Sequence, residues 1–431
     1  MGRWLIIAAM ALAASLGAVG AAQAQGYAYP EFLGGVSDYF AGLTNGNGGI
    51  KVGPFQFKPG ITFNTTFTDN AQLSNRNKES DFILTMNPTF NFTLAQDTKY
   101  KDVIAFGYSG DLGAYTRVTN NSYTNHTVWA TVDLRERPTN YMKLREQFTY
   151  TDDPYGNYEY VGVGTTTSRI RNELDLMVGR NLPRGYSAEV SYENYLENFL
   201  KNVDKQRTSM AHVGSGTLLY ELTGKTKLLG EYSFGYRDFY NAPSSTAPDY
   251  TVQEFMTGFR WAATARLAGE LKGGYGWRSF LNDMDPLGYP YSNNNTFIYE
   301  TNLSYLLTRK TTLNFEAGRE FLLGADNIPG TDVLDESQDA YVRNFFGLFA
   351  TTQLRRNLTL RAGGEYSIEP YADTPFYQDR TDTYCYLTIG FTHQIRRYLS
   401  YGLSYYFNKR DSDFDQSYTA NSVTASLRLA Y

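Results

Sequence analysis

The chain has 431 residues, 39 Lys and Arg against 44 Asp and Glu, a formal net charge of −5 and three His. That balance excludes the basic excess of a nucleic-acid binder and leaves little imidazole for a metal centre. Aromatic residues make up 16%, with 37 Tyr and 27 Phe, while the mean hydropathy is only −0.44. After the N-terminus no run of about 18 apolar residues exists, so the chain cannot cross a membrane as helices, although it is rich in the amphipathic rings that favour lipid–water interfaces.

The first residues predict export. Arg3 supplies a positive start, Trp4 to Val19 an apolar stretch, and Ala22-Gln23-Ala24 a small-x-small cleavage site, so a signal peptide is expected over residues 1–24. Gln25 follows the cut where a lipoprotein would have Cys, and the short apolar stretch argues against a retained membrane helix. Residues 25–53 end in Asn45-Gly46-Asn47-Gly48-Gly49 and read as a periplasmic or lumenal leader; one unrepeated copy without Asp does not make a calcium repeat.

From residue 54 to 431 a period of two takes over. Phe82, Leu84, Met86, Pro88, Phe90, Phe92 and Leu94 alternate with Asp81, Thr85, Asn87, Thr89, Asn91 and Thr93. The same pattern recurs at Val128 to Leu134, Ile170 to Val178 and Leu399 to Phe407. One face is greasy and the other wet, which predicts strands. Their connections alternate between short turns, such as Thr223 to Lys225, Thr308 to Lys310, Arg355 to Asn357 and Arg396 to Arg397, and long polar stretches. The longest stretches are Asp152 to Gly164, Asn282 to Asn294 and Gly324 to Gln338. A soluble sandwich has no reason to alternate loop lengths in this way, whereas a membrane barrel has.

The expected fold is therefore all-β: a transmembrane antiparallel up-and-down β-barrel of about 18 strands in a Gram-negative outer membrane, with short periplasmic turns and long extracellular loops. Backbone in hydrocarbon finds no water, so the sheet must close. The final strand points Val423, Ala425, Leu427, Leu429 and Tyr431 outward and ends on an aromatic carboxyl-terminal residue. Leu427, Leu429 and Tyr431 resemble the terminal signal by which such barrels are recognised for insertion.

A bore this wide should hold water or be plugged by loops, and no long loop stands out as the plug. The alternation places basic residues inward at Arg135, Lys143, Arg145, Arg169, Arg171, Arg237, Arg260, Lys272, Arg278 and Arg361. Acidic residues point the same way at Asp133, Glu173, Asp175, Glu189, Glu193, Glu231, Glu254, Glu270, Glu300, Glu316, Glu365 and Glu369. They are expected to form cross-strand ion pairs in pore water or, alternatively, a ladder of weak sites for a charged polymer. Trp129, Tyr195, Tyr384, Tyr386 and Tyr406 share this face and offer flat surfaces to sugar rings.

Enzyme motifs are missing, and neither a cofactor nor a metal is expected. His126, His212 and His393 lack metal-ligand spacing, no G-x-S-x-G occurs, and Gly162-Val163-Gly164-Thr165 lacks the Lys of a phosphate loop. Asp411-Ser412-Asp413-Phe414-Asp415 opens like a calcium loop but has Gln416 and Ser422 where Gly and an acid belong. Cys385 alternates with Leu387 and Ile389 and reads as a small apolar residue.

Val52-Gly53-Pro54-Phe55, Pro59-Gly60, Asp69-Asn70, Ser80-Asp81-Phe82 and Pro88 together resemble the putative β-barrel porin family, whose members accompany exopolysaccharide export and exosortase systems. A Tyr-Asp commonly precedes the Asp-Asn pair in that family; this chain has Phe67-Thr68. The resemblance implies an outer-membrane channel that passes extracellular or capsular polysaccharide. The expected partners are outer-membrane lipid and lipopolysaccharide, the barrel-assembly machinery, a polysaccharide cargo and a periplasmic export partner, without nucleic acid. The alternatives are a non-transporting barrel that anchors a surface assembly and a general diffusion porin.

Overall fold

The structure is a computed structural model that describes residues 49–94, 103–134, 139–152, 168–200, 205, 208–240, 249–261, 266–281, 294–323, 340–371, 380–413 and 417–431. A short strand, β1 (Ile50–Val52), precedes β2 (Phe55–Thr68), β3 (Asp81–Leu94), β4 (Val103–Tyr115), β5 (Tyr123–Leu134) and β6 (Asn140–Thr151). Then come β7 (Arg169–Asn181), β8 (Tyr186–Phe199), β9 (Ser209–Thr223), β10 (Thr226–Asp238), β11 (Tyr250–Trp261), β12 (Leu267–Phe280) and β13 (Asn294–Thr308). β14 (Thr311–Leu323), β15 (Ala340–Arg355), β16 (Leu358–Pro370), β17 (Thr381–Arg396), β18 (Leu399–Asp411) and β19 (Tyr418–Ala430) complete the set.

Each strand from β2 onward pairs antiparallel with the next, and β19 returns to β2 from Ser422↔Thr68 to Ala430↔Gly60, closing an 18-stranded barrel. Every interior ladder is thereby paired, as hydrocarbon demands. β1 lies within the stretch read from sequence as leader, but it folds back on β2 through Val52↔Phe55. The signal-cleavage residues Ala22 and Ala24, most of the long loops and Arg135 lie outside the described residues.

Local chemistry sets the short turns. Two residues join β9 to β10, β13 to β14, β15 to β16 and β17 to β18, and each of these hairpins has a register shift beside its turn. Thr223 and Thr308 accept from the backbone N–H of Lys225 and Lys310 at 3.3 and 3.1 Å. Gln353 and Gln394 donate to the carbonyls of Arg356 and Arg397 at 3.4 and 3.2 Å. Such side-chain bonds stand in for the ladder where the chain reverses.

The opposite rim is fastened at the closing seam. Asp69 accepts from Asn421 N–H and Nδ2 at 2.7 and 2.6 Å, and Asn70 donates to the carbonyls of Ser74 and Thr419. Buried Asp81 takes the backbone N–H groups of Phe82, Thr116, Arg117 and Val118 and the Thr116 hydroxyl. The Asp-Asn and Ser-Asp-Phe motifs thus tie the first rim segments to β19 and to the turn after β4. Asp81→Ala leaves several donors unsatisfied and is expected to cost about 2–3 kcal/mol. The readout is the temperature at which the compact form is lost on SDS gels; an unchanged temperature would show that the clamp is dispensable.

The outer face shows where lipid ends. Tyr108 bonds His126, Tyr192 bonds His212, Tyr232 bonds Gln253, Tyr275 bonds Asn295 and Tyr405 bonds Asn421, at 2.7–3.1 Å. In each case the partner sits two residues toward the long-loop rim from the residue directly opposite the Tyr. Glu146 and Asn172 repeat this offset between β6 and β7. On the short-turn side of this line the outward residues are mainly apolar, among them Phe106, Val190, Leu271, Phe315 and Leu403; on β2 and β3 the apolar face runs higher, to Phe67 and Phe82. Tyrosine with its ring in lipid and its hydroxyl in a polar pair is the expected interfacial residue.

Candidate functional site

The lumen wall has two unlike halves. On β17–β19 and β2–β5 the inward residues are mainly Thr, Ser, Asn and Gly, and they are laced together across strands. Thr424 and Thr66 share a bond of 2.8 Å, while Asn64 donates to Thr85 and Asn87 at 2.8 and 2.7 Å. Asn87 donates to Asp111 at 2.7 Å, and Asp111 accepts from Tyr123 at 3.2 Å. Apart from acids such as Asp111, this half presents mainly uncharged donors and acceptors on short, held side chains.

The other half, β6–β16, carries most of the charge. Arg145 meets Glu173 and Asp175 at 3.6 and 4.0 Å; Arg169 and Arg171 share Glu197 at 3.1 and 2.7 Å. Arg260 bridges Glu189, at 2.6 Å, and Glu270, and Tyr141 also bonds Glu189. Lys272 holds Glu231 and Glu300 at 3.0 and 2.8 Å. Arg343 gathers Glu320 at 3.2 Å, Glu365, and Glu369 at 3.7 Å; beyond this half, at the long-loop ends of β17 and β18, Asp382 receives Arg380 and Arg410 at 2.9 and 2.6 Å. Buried cations of this kind need partners, which explains why these wall charges are met by their opposites. Asp175, besides its contact with Arg145, stands directly opposite Glu193 on the neighbouring strand. Like charges in that position are unfavourable unless water solvates them.

All of the sequence-assigned wall residues that fall on described strands lie on the inward face by register. Glu316 stands opposite Gly347, Arg361 opposite Thr351, and Arg278 runs beside Phe280 and Phe321 at 5.4 and 5.3 Å. The expectation of open aromatic faces needs correcting for three residues. Trp129, Tyr195 and Tyr386 are buried, Trp129 lying so close over Gly107 that an added Cβ would stand 2.6 Å from its ring. Tyr384, which donates to Asn408 at 2.7 Å, and Tyr406 remain partly open. Leu427 and Leu429 face outward, and the Tyr431 N–H donates to the Pro59 carbonyl at 3.0 Å. His126, His212 and His393 point outward into Tyr or Asn contacts, and no metal-ligand cluster occurs among the described residues.

Glu197, Glu320, Arg343, Asp382 and Arg410 were not singled out from the sequence. Glu197 was legible, since it continues the spacing of Glu189 and Glu193; the others flank long loops, where alternation stops being a guide.

Above Tyr299↔Arg319 the β13–β14 ladder ends, while β14 continues with β15 to Leu323↔Ala340. By alternation Phe321 shares the outward face of Phe315. Its ring instead packs inside the barrel against Met256 of β11 and Ile298 of β13, with Val252 and Val342 beside them, and an added Cβ on Gly276 of β12 would stand 2.7 Å from it. The tip of β14–β15 therefore crosses the inner surface of three strands, putting both of its faces within the lumen. The ladder parts level with the outer line of polar pairs, where water can satisfy the freed backbone groups.

Among solved structures the chain is similar to the outer membrane protein OpdK of Pseudomonas aeruginosa, at 9% identity and a TM-score of 0.44 over 87% of this chain and 99% of that one. It is also similar to the siderophore receptor PirA of Pseudomonas aeruginosa, at 11% and 0.41 over 87% and 80%, and to PirA of Acinetobacter baumannii, at 8% and 0.42 over 89% and 81%. No curated protein matches the sequence. The family described as Putative beta-barrel porin 2 matches residues 45–431, which include the whole barrel, and the chain belongs to that family of outer-membrane β-barrel proteins.

Proposed function

We propose that this porin-like barrel is a water-filled conduit for an extracellular or capsular polysaccharide and carries no catalytic chemistry. The observation that carries the reading is the uncharged half-wall of Thr66, Asn64, Thr85, Asn87 and Thr424, already bonded into a transverse ladder. A sugar chain offers many hydroxyls, and a wall of short amides and hydroxyls exchanges hydrogen bonds with it at little entropic cost. The facing charges are mostly paired, so they orient water without gripping the polymer. Lipopolysaccharide around the polar outer line, the assembly machinery acting on the strand that ends at Tyr431, and a periplasmic export partner at the exposed short turns complete the proposed setting.

Purified protein in planar bilayers is expected to conduct, and deletion of its gene in the native host to trap polymer in the periplasm. Absence of conductance together with normal polymer secretion would refute the conduit. Conductance with normal secretion would point to a general diffusion porin instead.

A further inference from the structure

The bent β14–β15 tip does more than occupy space. Its apolar side, Phe321 with Val342, is seated on Met256, Gly276 and Ile298. Its charged side carries Glu320 and Arg343. Glu320 comes within electrostatic reach of Glu254 and Glu300 from one part of the wall and of Glu365 and Glu369 from the other. Glu193 of β8 lies in the field of Asp175, Glu300 and Glu231 on the same charged half of the wall. The seat of Phe321 on Met256, Gly276 and Ile298 brings this charged tip over the inner wall and narrows the passage at its level. Among the described residues the cations beside them are Lys272, Arg145, Arg343 and, against the Phe321 ring, Arg278, fewer than the acids they face.

We propose that the β14–β15 tip is the size-limiting element of the pore, and that the carboxylates it completes restrict passage to cationic or uncharged chains, rejecting polyuronates and other acidic polymers. The proposal rests on the conduit reading and narrows its cargo. A carboxylate-lined constriction selects by field as well as by width, because low-dielectric walls concentrate the potential of charges that a wide pore would screen. Seen from the cargo, the uncharged half-wall supplies hydrogen bonds while the acidic half excludes like charge. The hook geometry also explains Gly276: only a residue without Cβ leaves room for the Phe321 ring.

The tests use single channels of the full-length protein in planar bilayers. A KCl gradient should give a reversal potential corresponding to at least about threefold preference for K+ over Cl−, falling toward unity in Glu254→Gln/Glu300→Gln. Chitosan oligomers should block the current at roughly tenfold lower concentration than oligogalacturonate of equal length. Phe321→Ser should raise conductance and admit larger polyethylene glycols; if that variant fails to fold, Met256→Ala loosens the same seat more gently. A conducting wild type with anion preference, or with tighter block by oligogalacturonate, overturns the charge selection. Folded Phe321→Ser and Met256→Ala proteins with unchanged conductance and polymer exclusion overturn the tip as constriction. A wild type that does not conduct refutes the conduit itself, a result distinguishable from both.

Discussion

Replacing Glu197 by alanine is expected to cost the barrel about 3–5 kcal/mol, because Arg169 and Arg171 lose the carboxylate they share. Arg169 is 1% exposed and Glu197 3%, so water cannot take the place of the missing acid. The loss should appear as a lower urea midpoint in detergent and an earlier loss of the compact form on SDS gels. Removing all three charges in Arg169→Met/Arg171→Met/Glu197→Met should recover much of the stability, since an apolar trio of similar volume carries no desolvation penalty. Equal midpoints for Glu197→Ala and wild type would show that the site is solvated after all. Because both arginines are committed to this bond, exchanging their sign should disturb folding before it alters ion selectivity; the lever on selectivity is the acidic set around Glu254 and Glu300.

A loss of similar size is expected for Arg343→Met, which strips the cation from Glu320, Glu365 and Glu369 at once. Glu369 is fully buried and Glu365 nearly so, so three carboxylates would be left close together with their main counter-charge gone. About 3–5 kcal/mol is again the scale, with the conservative Arg343→Lys recovering only part because one ammonium cannot span three acids as a guanidinium fork does. Arg343 also lies over the Phe345 ring at 4.4 Å, so the substitution loosens the base of the tip. Midpoints should fall in the order wild type, Arg343→Lys, Arg343→Met. A Met variant as stable as wild type would mean that these carboxylates hold protons rather than charge.

Much of the wall was legible because strand alternation is a covalent property. Successive side chains leave a strand on opposite faces, so Glu173, Asp175 and Glu193 follow the register set by Leu174, Leu176 and Val190 without knowledge of any neighbour. The reading weakened where that rule has nothing to act on. Phe321 sits on the outward parity yet lies inside, because the departure of β14 from β13 moves the whole ribbon and carries both faces with it. Trp129 and Tyr386 point inward as their parity requires, but whether a ring is open or covered depends on the size of what lies opposite, and Gly107 lets Trp129 lie flat against the wall.

The amino-acid order alone determined that the chain makes strands, about how many, which face of each is wet, and that the sheet has to close. These follow from short-range geometry and from the cost of unpaired backbone in lipid. Which wall residues meet was decided only by the closed barrel: Arg260 of β11 with Glu189 of β8, Lys272 of β12 with Glu231 of β10, and Phe321 with Met256. Such meetings depend on the curvature of the ring and the stagger of its strands, quantities that belong to all eighteen strands together and are written in no single one of them.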